Sequence, residues 1–451
     1  MSDIALETEP TEPGRGGFRA PSVWLVAGGG WIGRGIQVAG QFVVVRILID
    51  ALGTAGYGVF AVLASLNAWM LLGDFCIGIS LQNHISERRA SGAEADDIVL
   101  TGTVLALGAA FIMSAAMLLL GPWISALLLD GFAFLTPAQR TLAFYAIAFP
   151  GIGTALGGVV YRIWFARHRG YLSNLVPAVG TIIGTSAVWI LQHVQSQPEV
   201  ATATFLYFFP LAILPIIALA AVAASSRRGS RFTPALVRPI MSRALRFWLS
   251  GLLAAAVLQV DYIVMSRVLG VVDIVTYNVA TKLFLLIFFV YTALLLALWP
   301  VCSEAIARQE WDKVTAMVRK YIAIGMAFTL VSGLAVALTR HWIVHLLAPG
   351  LDTPIPLLVI GLLTFYTVVR VWTDMYGTVL QSMNDLKTLW ATAVVQAVLS
   401  GTLQTLGARW FGLPGMIIGL ISCYLLTAAW TLPLRTYFHI CASRARVGAT
   451  H

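Results

Sequence analysis

The chain has 451 residues, 59% of them hydrophobic and only 11% charged, with a mean hydropathy of +0.85 and a net charge of +9. A soluble domain carries about 25% charged residues, so this composition excludes a water-soluble fold. The basic excess is clumped between long uncharged windows, which points it at a membrane surface and not at nucleic acid.

Residues 1–22 are polar and acidic with two arginines. They lack the basic start and cleavage site of a signal peptide, so they read as a cytoplasmic tail before a retained first helix. A bilayer crossing needs about 20 mostly apolar residues. Uncharged windows of that order run over 51–73, 98–129, 141–161, 170–198, 200–226, 283–303, 321–339, 388–408 and 410–434. Stretches near 23–48, 247–268 and 354–380 hold charges but are otherwise apolar. Together they predict an all-α polytopic membrane protein of about twelve spans, with an interfacial piece around Trp123. The basic stretch 225–246, with six arginines, lies near the middle. It divides the chain into an N-terminal six-helix bundle (23–224) and a C-terminal one (247–438), with a cytoplasmic tail over 439–451. Four widely spaced cysteines (Cys76, Cys302, Cys423, Cys441) have no zinc or redox spacing and read as small apolar packers.

Twenty of the 29 Lys and Arg fall in connections on one side, four on the other and five within spans. By the positive-inside rule both termini are cytoplasmic. The two halves also open alike. Trp31 leads an apolar run to Leu52-Gly53, with Tyr57 after it. Trp248, 217 residues on, leads another to Leu269-Gly270, with Tyr277 after it. Ser86-Glu87 and Ser303-Glu304 repeat at the same offset. An even number of spans per half makes the repeat parallel, two pseudo-symmetric bundles with a site between them. The shared phrase reads as scaffold, with function where the copies differ. Pro150 with its neighbouring glycines, Pro177, Pro210, Pro215 and Pro414 fall inside spans. They read either as packed kinks or as hinges.

An ionisable side chain at mid-bilayer costs roughly 2.5–3.5 kcal/mol on insertion scales, so each within a span needs a cavity or a partner. Arg34 shares a helical face with Gln41 and reads as an anion-holding cavity residue or as a snorkelling one. Arg46 and Asp50 are an i, i+4 pair near the outer end. Asp74 ends span 2. Asp261 in span 7 and Lys282 in span 8 match in depth, where they neutralise each other or serve function. Arg370 and Asp374 form another i, i+4 pair inside span 10. The cationic set (Arg34, Arg370, Lys282, Arg46) is read as substrate-binding. The acids Asp261, Asp74 and Asp374 are read as ion-coupling or charge-pairing groups. Trp31, Trp69, Tyr291 and Trp372 are candidates for stacking on sugar rings. No phosphate-cradling GxxxxGK[ST] loop, HExxH or CxxC occurs, and no cofactor or metal is predicted.

Leu52-Gly53-x-x-Gly56-Tyr57-Gly58 with Asp74-Phe-Cys-Ile-Gly78 resembles the start of the polysaccharide repeat-unit (Wzx-type) flippases. These belong to the multidrug/oligosaccharidyl-lipid/polysaccharide exporter superfamily. Asp261, Leu269-Gly270, Tyr277-Asn278-Val-Ala280 and Trp299-Pro300-x-x-Ser303-Glu304-Ala305 resemble the start of their second half, and Leu380-Gln-Ser-Met-Asn-Asp385-Leu-Lys387 their connection before span 11. The resemblance covers about Trp31 to Leu434. It implies a non-enzymatic flippase of the bacterial inner membrane, working by alternating access. Its cargo would be undecaprenyl-pyrophosphate-linked oligosaccharide, delivered to the periplasmic leaflet for surface polysaccharide synthesis. Implied partners are this lipid-linked substrate, membrane lipids, and the polysaccharide polymerase and chain-length machinery. The alternatives are an ion-coupled small-molecule antiporter of the same fold and a membrane enzyme of glycan assembly. The enzyme reading lacks the large outer loop it needs.

Overall fold

A computed structural model describes residues 23–90, 94–167, 169–226, 230–258, 260–347, 354–383 and 385–448. Among these there is no strand. The order is α1 (Val23–Ser65), α2 (Asn67–Met70), a 3-10 turn (Leu71–Asp74), α3 (Ile77–Ala90), α4 (Asp96–Leu129), α5 (Pro137–Ala166), α6 (Leu172–Val194) and α7 (Val200–Ala224). Then follow α8 (Pro234–Leu258), α9 (Val260–Val268), α10 (Val271–Ala307), α11 (Trp311–Leu347), α12 (Leu357–Ser382), α13 (Leu386–Leu426) and α14 (Ala428–Gly448). Nine stretches of the described residues are long and apolar enough to cross a membrane.

Local chemistry sets the helix ends. Thr136 and Gln139 form a capping box, and Pro137 supplies the first turn of α5. Asp96 and Asp97 sit at the positive end of the α4 dipole. Two helices contain reversals. Gly412, at φ +63°, turns α13 back on itself. Gly407 and Gly415 then abut, and Cys423 Sγ donates to the Gln396 carbonyl across the hairpin at 3.4 Å. Gly53, at φ +69°, does the same for α1. Before it, Gly33 lies on Asn174 and Arg46 reaches the Leu346 carbonyl. After it, Gly58 lies on Val271, and α3 follows with Gly78 on Val159. The successive helices therefore run up and down between two ends. One end, the terminal end, holds residues 23, 90, 224, 234 and 448. The other, the far end, holds Gly53, Asp130, Gly270 and Gly412.

At the far end a single apolar core joins both halves, with Leu48, Tyr57, Leu129 and Phe132 beside Met265, Val275, Ile360 and Met416. At the terminal end the core splits. Ile77, Leu81, Val159 and Ile163 form one cluster, and Cys302, Val314, Val371 and Val379 another. The halves are closed together at the far end and parted at the terminal end.

The basic stretch expected as a linker is helical from Pro234. It docks on the N-terminal half. Ile240 and Ala244 join the cluster of α3 and α5, Ser80 Oγ donates to the Ile240 carbonyl (2.8 Å), and Arg243 meets Glu87 at 2.8 Å. Residues 439–448, expected as a tail, continue α14. Asp385 accepts from Arg435 Nε (2.7 Å) and His439 Nε2 (2.8 Å), tying α14 to the start of α13. Burial pushes its carboxyl up, but hydrogen bonds from His439, Arg435 and Thr388 outweigh it and hold the group well below the usual carboxylate range. The stability it contributes is present above the ordinary carboxylate pKa and is lost only as pH falls through the lowered one. Cys76, Cys302 and Cys423 are buried as expected, whereas Cys441 is exposed. The expected 1–22 tail and residues 449–451 lie outside the described residues.

The glycines around Pro150 serve close packing. A Cβ on Gly157 would stand 2.6 Å from the Ile216 nitrogen and 2.8 Å from the Pro215 carbonyl carbon of α7. Gly157→Leu is therefore expected to destabilise the protein by about 1–3 kcal/mol or more through overpacking. Gly108→Leu, on exposed α4 with nothing within 4 Å, should melt like the parent in a detergent thermal-shift measurement.

Candidate functional site

Between the parted halves lies a cavity of about 610 Å³. The N-terminal half contributes Gln37, Gln41 and Val44 from α1, Phe60 and Ala64 beyond the Gly53 reversal, Tyr161 from α5, Thr181 from α6 and Tyr207 from α7. The C-terminal half contributes Asp261 and Tyr262 from α9, Tyr277, Asn278, Lys282 and Phe288 from α10, and Tyr366 and Arg370 from α12.

Its deep end is a phenol-rich network. Tyr57, fully buried just behind the wall, donates to Asn278 Oδ1 at 2.5 Å. Asn278 Nδ2 donates to the Tyr262 hydroxyl at 2.6 Å. Tyr277 donates to Asp261 Oδ2 at 2.5 Å, and Asp261 Oδ1 also accepts the Tyr262 amide at 2.9 Å. Lys282 Nζ donates to the Tyr57 hydroxyl at 3.3 Å. Among the described residues it has no carboxylate partner. An ammonium has three donors, so two remain for whatever enters the cavity.

Arg370 is better held. Its Nη2 bonds Asp374 Oδ2 at 3.0 Å and its Nη1 the Tyr366 hydroxyl at 3.2 Å. The guanidinium lies 4.4 Å from the centroid of Phe288 and 5.6 Å from that of Tyr424. Aromatic faces suit a weakly hydrated cation. Arg370 Nε is buried and without a partner.

Of the seven residues singled out from the sequence, the structure brings Lys282, Arg370 and Asp261 to the cavity, with Asp374 attached through Arg370. Lys282 and Asp261 do not neutralise each other directly, because each is bound to a different tyrosine. Arg34 stands one turn beyond Gln37 and two beyond Gln41, exposed at the rim. It donates to Asn174 Oδ1 at 3.3 Å and lies 5.7 Å from the Phe289 ring centroid. Arg46 is away from the cavity, exposed, 3.9 Å from Asp50 and bonded to the Leu346 carbonyl. Asp74 is also away from it. The chain breaks at Phe75 and Cys76, both at positive φ, and the carboxylate caps α3 by accepting Cys76 N (2.8 Å) and Gly78 N (3.1 Å).

The candidate stacking aromatics lie elsewhere. Tyr291 is buried with its hydroxyl on the Val371 carbonyl, Trp372 bonds the Ala429 carbonyl, and Trp69 packs on the far-end core. The side chain of Trp31 is outside the described residues. The cavity instead uses Tyr161, Tyr207, Tyr262, Tyr277 and Tyr366. Two tyrosines of the repeated phrase, Tyr57 and Tyr277, thus belong to the site's network as well as to the scaffold. Their hydroxyls among apolar neighbours were the available sequence signal.

No family model matches the chain. Curated relatives do. It is 40% identical over 419 residues to a putative O-antigen export protein of Yersinia pseudotuberculosis, covering 92% of this chain and 96% of that one. It is 33% identical over 421 residues to a putative O-antigen transporter of Salmonella typhi, again covering 92% and 96%. The chain belongs to the O-antigen transporter family. This family consists of membrane transporters and not of enzymes. In fold it is similar to an inward-facing multidrug resistance MATE family transporter of the MOP superfamily (TM-score 0.75, 14% identity, 91% of this chain and 96% of that one). The outward-facing MATE form matches at a TM-score of 0.59 (15% identity, 93% and 95% covered). The lipid II flippase MurJ in an inward closed conformation matches at 0.70 (11% identity, 92% and 89% covered).

In this family member the two i, i+4 ion pairs should differ in weight. The Arg370 and Asp374 side chains are 17% and 30% exposed, those of Arg46 and Asp50 50% and 39%. Asp374→Ala strands a cation in the bundle and is expected to cost up to about 3–5 kcal/mol. Asp50→Ala should cost about 0–1 kcal/mol. Melting of the two purified variants checks the difference.

Proposed function

We propose that the protein flips undecaprenyl-pyrophosphate-linked oligosaccharide repeat units from the cytoplasmic to the periplasmic leaflet of the bacterial inner membrane by alternating access. The observation that carries the reading is the pair of cations on the cavity wall, Lys282 with unfilled donors and Arg370 above an aromatic floor. A diphosphate carries about two negative charges and cannot cross hydrocarbon unaided. Charge-assisted hydrogen bonds from Lys and Arg replace its water in a low-dielectric cavity. The cavity volume falls in the range of roughly 300–1,000 Å³ that holds a drug-sized ligand. That suits a head group and its first sugars, with the polyprenyl tail left in the bilayer. Gln37, Gln41, Asn278 and the tyrosines supply the mixed donors and acceptors that sugar hydroxyls need. The names of the curated relatives agree with this cargo.

With both termini in the cytoplasm, the orientation that the basic connections favour, the parted end faces the cytoplasm and this is the loading state. The released unit would pass to the polysaccharide polymerase and chain-length machinery. Arg34 at the rim is the first cation an entering head group meets. Asp261, paired to Tyr277, is the acid best sited to couple an ion to the cycle.

Two tests follow from this reading. Lys282→Gln and Arg370→Gln should each abolish surface glycan in a deletion strain at normal protein level, with lipid-linked units accumulating in the cytoplasmic leaflet. Arg46→Gln should restore glycan fully. Full export by both cavity variants defeats the reading. For orientation, fluorescent-protein and alkaline-phosphatase fusions at the C-terminus should give fluorescence without phosphatase activity.

A further inference from the structure

Among the described residues the far end is sealed mainly by apolar packing, with few polar links across it. Arg46 reaches the Leu346 carbonyl and Arg267 the Leu127 carbonyl, both from exposed positions. The buried link is different. Tyr57 follows the Gly53 reversal in the N-terminal half, and Asn278 and Lys282 lie one helical turn apart on α10 in the C-terminal half. The Tyr57 hydroxyl gives its proton to Asn278 and takes one from Lys282, so both bonds cross the seam. Asn278 is locked in this role, because its amide nitrogen is already committed to Tyr262. Tyr57 lies behind the cavity wall, while Lys282 and Asn278 are part of that wall. One cation is therefore shared between the seal and the cavity.

We propose that Tyr57, Asn278 and Lys282 form a latch operated by the cargo's anionic head group: an anion bound at Lys282 draws the ammonium off the Tyr57 hydroxyl and loosens the far-end seam. This rests on the reading of Lys282 as a head-group contact. An ammonium–phosphate bond is charge-assisted on both sides and outcompetes an ammonium–phenol bond. A ligand shifts a two-state equilibrium only by its preference for one state. Here the preference has a source, since Lys282 offers the anion all three donors only when it has left Tyr57. The coupling is reciprocal, so breaking the latch must tighten anion binding by the factor by which the anion opens the latch. Allosteric couplings of this kind run at about 5- to 150-fold.

The experiment uses the full chain in lipid nanodiscs with Cys441→Ser. Spin labels go at exposed far-end positions of the two halves, Phe134 and Val272. Inorganic pyrophosphate is the probe, its binding read by calorimetry and the inter-label distance by pulsed electron resonance. In the parent, pyrophosphate should raise the population of the longer distance at least about 5-fold. Tyr57→Phe should raise it without pyrophosphate and bind pyrophosphate more tightly by a similar factor. Asn278→Leu, of similar volume, should open the seam in the same way if the phenol variant folds poorly. Lys282→Met should neither bind nor respond. If pyrophosphate binds through Lys282 but leaves the distance unchanged, the latch is wrong and the head-group reading stands. The same holds if Tyr57→Phe behaves as the parent. If pyrophosphate does not bind, the head-group reading falls and the latch with it.

Discussion

A cation held within an apolar helix bundle must be given oxygen atoms or aromatic faces by the chain around it, and the interior of this protein is organised by that demand. Arg370 meets it with one carboxylate, one phenol and a ring of aromatic faces. Lys282 meets it with a single phenol. The difference separates a charge that is largely settled from one that is under-served. Arg370 fixes the α12 wall, while Lys282 still has donors to fill. The tyrosines do the work that carboxylates do in soluble proteins. They satisfy cations and acids without adding a second net charge to the bilayer interior. Asp261 and Asp374 balance the two cations in number, but Lys282 is bound to neither, so its free donors remain available to a ligand.

The packing is arranged around the same region. One apolar core welds the halves at the far end, and separate cores keep each half intact at the terminal end. A cavity between two self-sufficient bundles can change its opening without either bundle losing its own core. Small residues make this possible. The approach of α5 to α7 at Gly157 is backbone against backbone, which packs the N-terminal bundle closely on itself.

Much of the fold was legible because hydrocarbon imposes a simple rule. The windows 170–198 and 200–226 became α6 and α7 within a few residues, and Leu-Gly at 52–53 marked a reversal. The offset of 217 placed Val44 opposite Asp261, and both line the cavity. Side-chain partners were not legible. Asp261 and Lys282 do lie at one depth, but tyrosine hydroxyls from two helices separate them. No spacing along the chain encodes where a phenol ends. Asp74 looked like a buried acid because the break at Phe75 and Cys76, which turns it into a cap, comes from two residues with no preference for positive φ. Arg46 was legible as an outer pair with Asp50, but not as a residue outside the cavity, because helix facing is not written in its spacing. The docked beginning of α8 was hidden by its own arginines, which read as loop until Glu87 supplied a partner.

That helix has a mechanical consequence. Its first turns are fastened to the N-terminal half through Ser80 and Glu87, and Trp248 Nε1 is bonded to the Leu72 carbonyl at 3.0 Å. Its last turns belong to the other half, where the Val257 carbonyl accepts Ser400 Oγ at 3.3 Å. A helix fastened at one end to each body is a tether, which limits how far the two bundles can separate along it. The two bundles therefore share a strut that belongs to both. Its crossing from one bundle to the other begins near Trp248, midway between the closed and the parted ends.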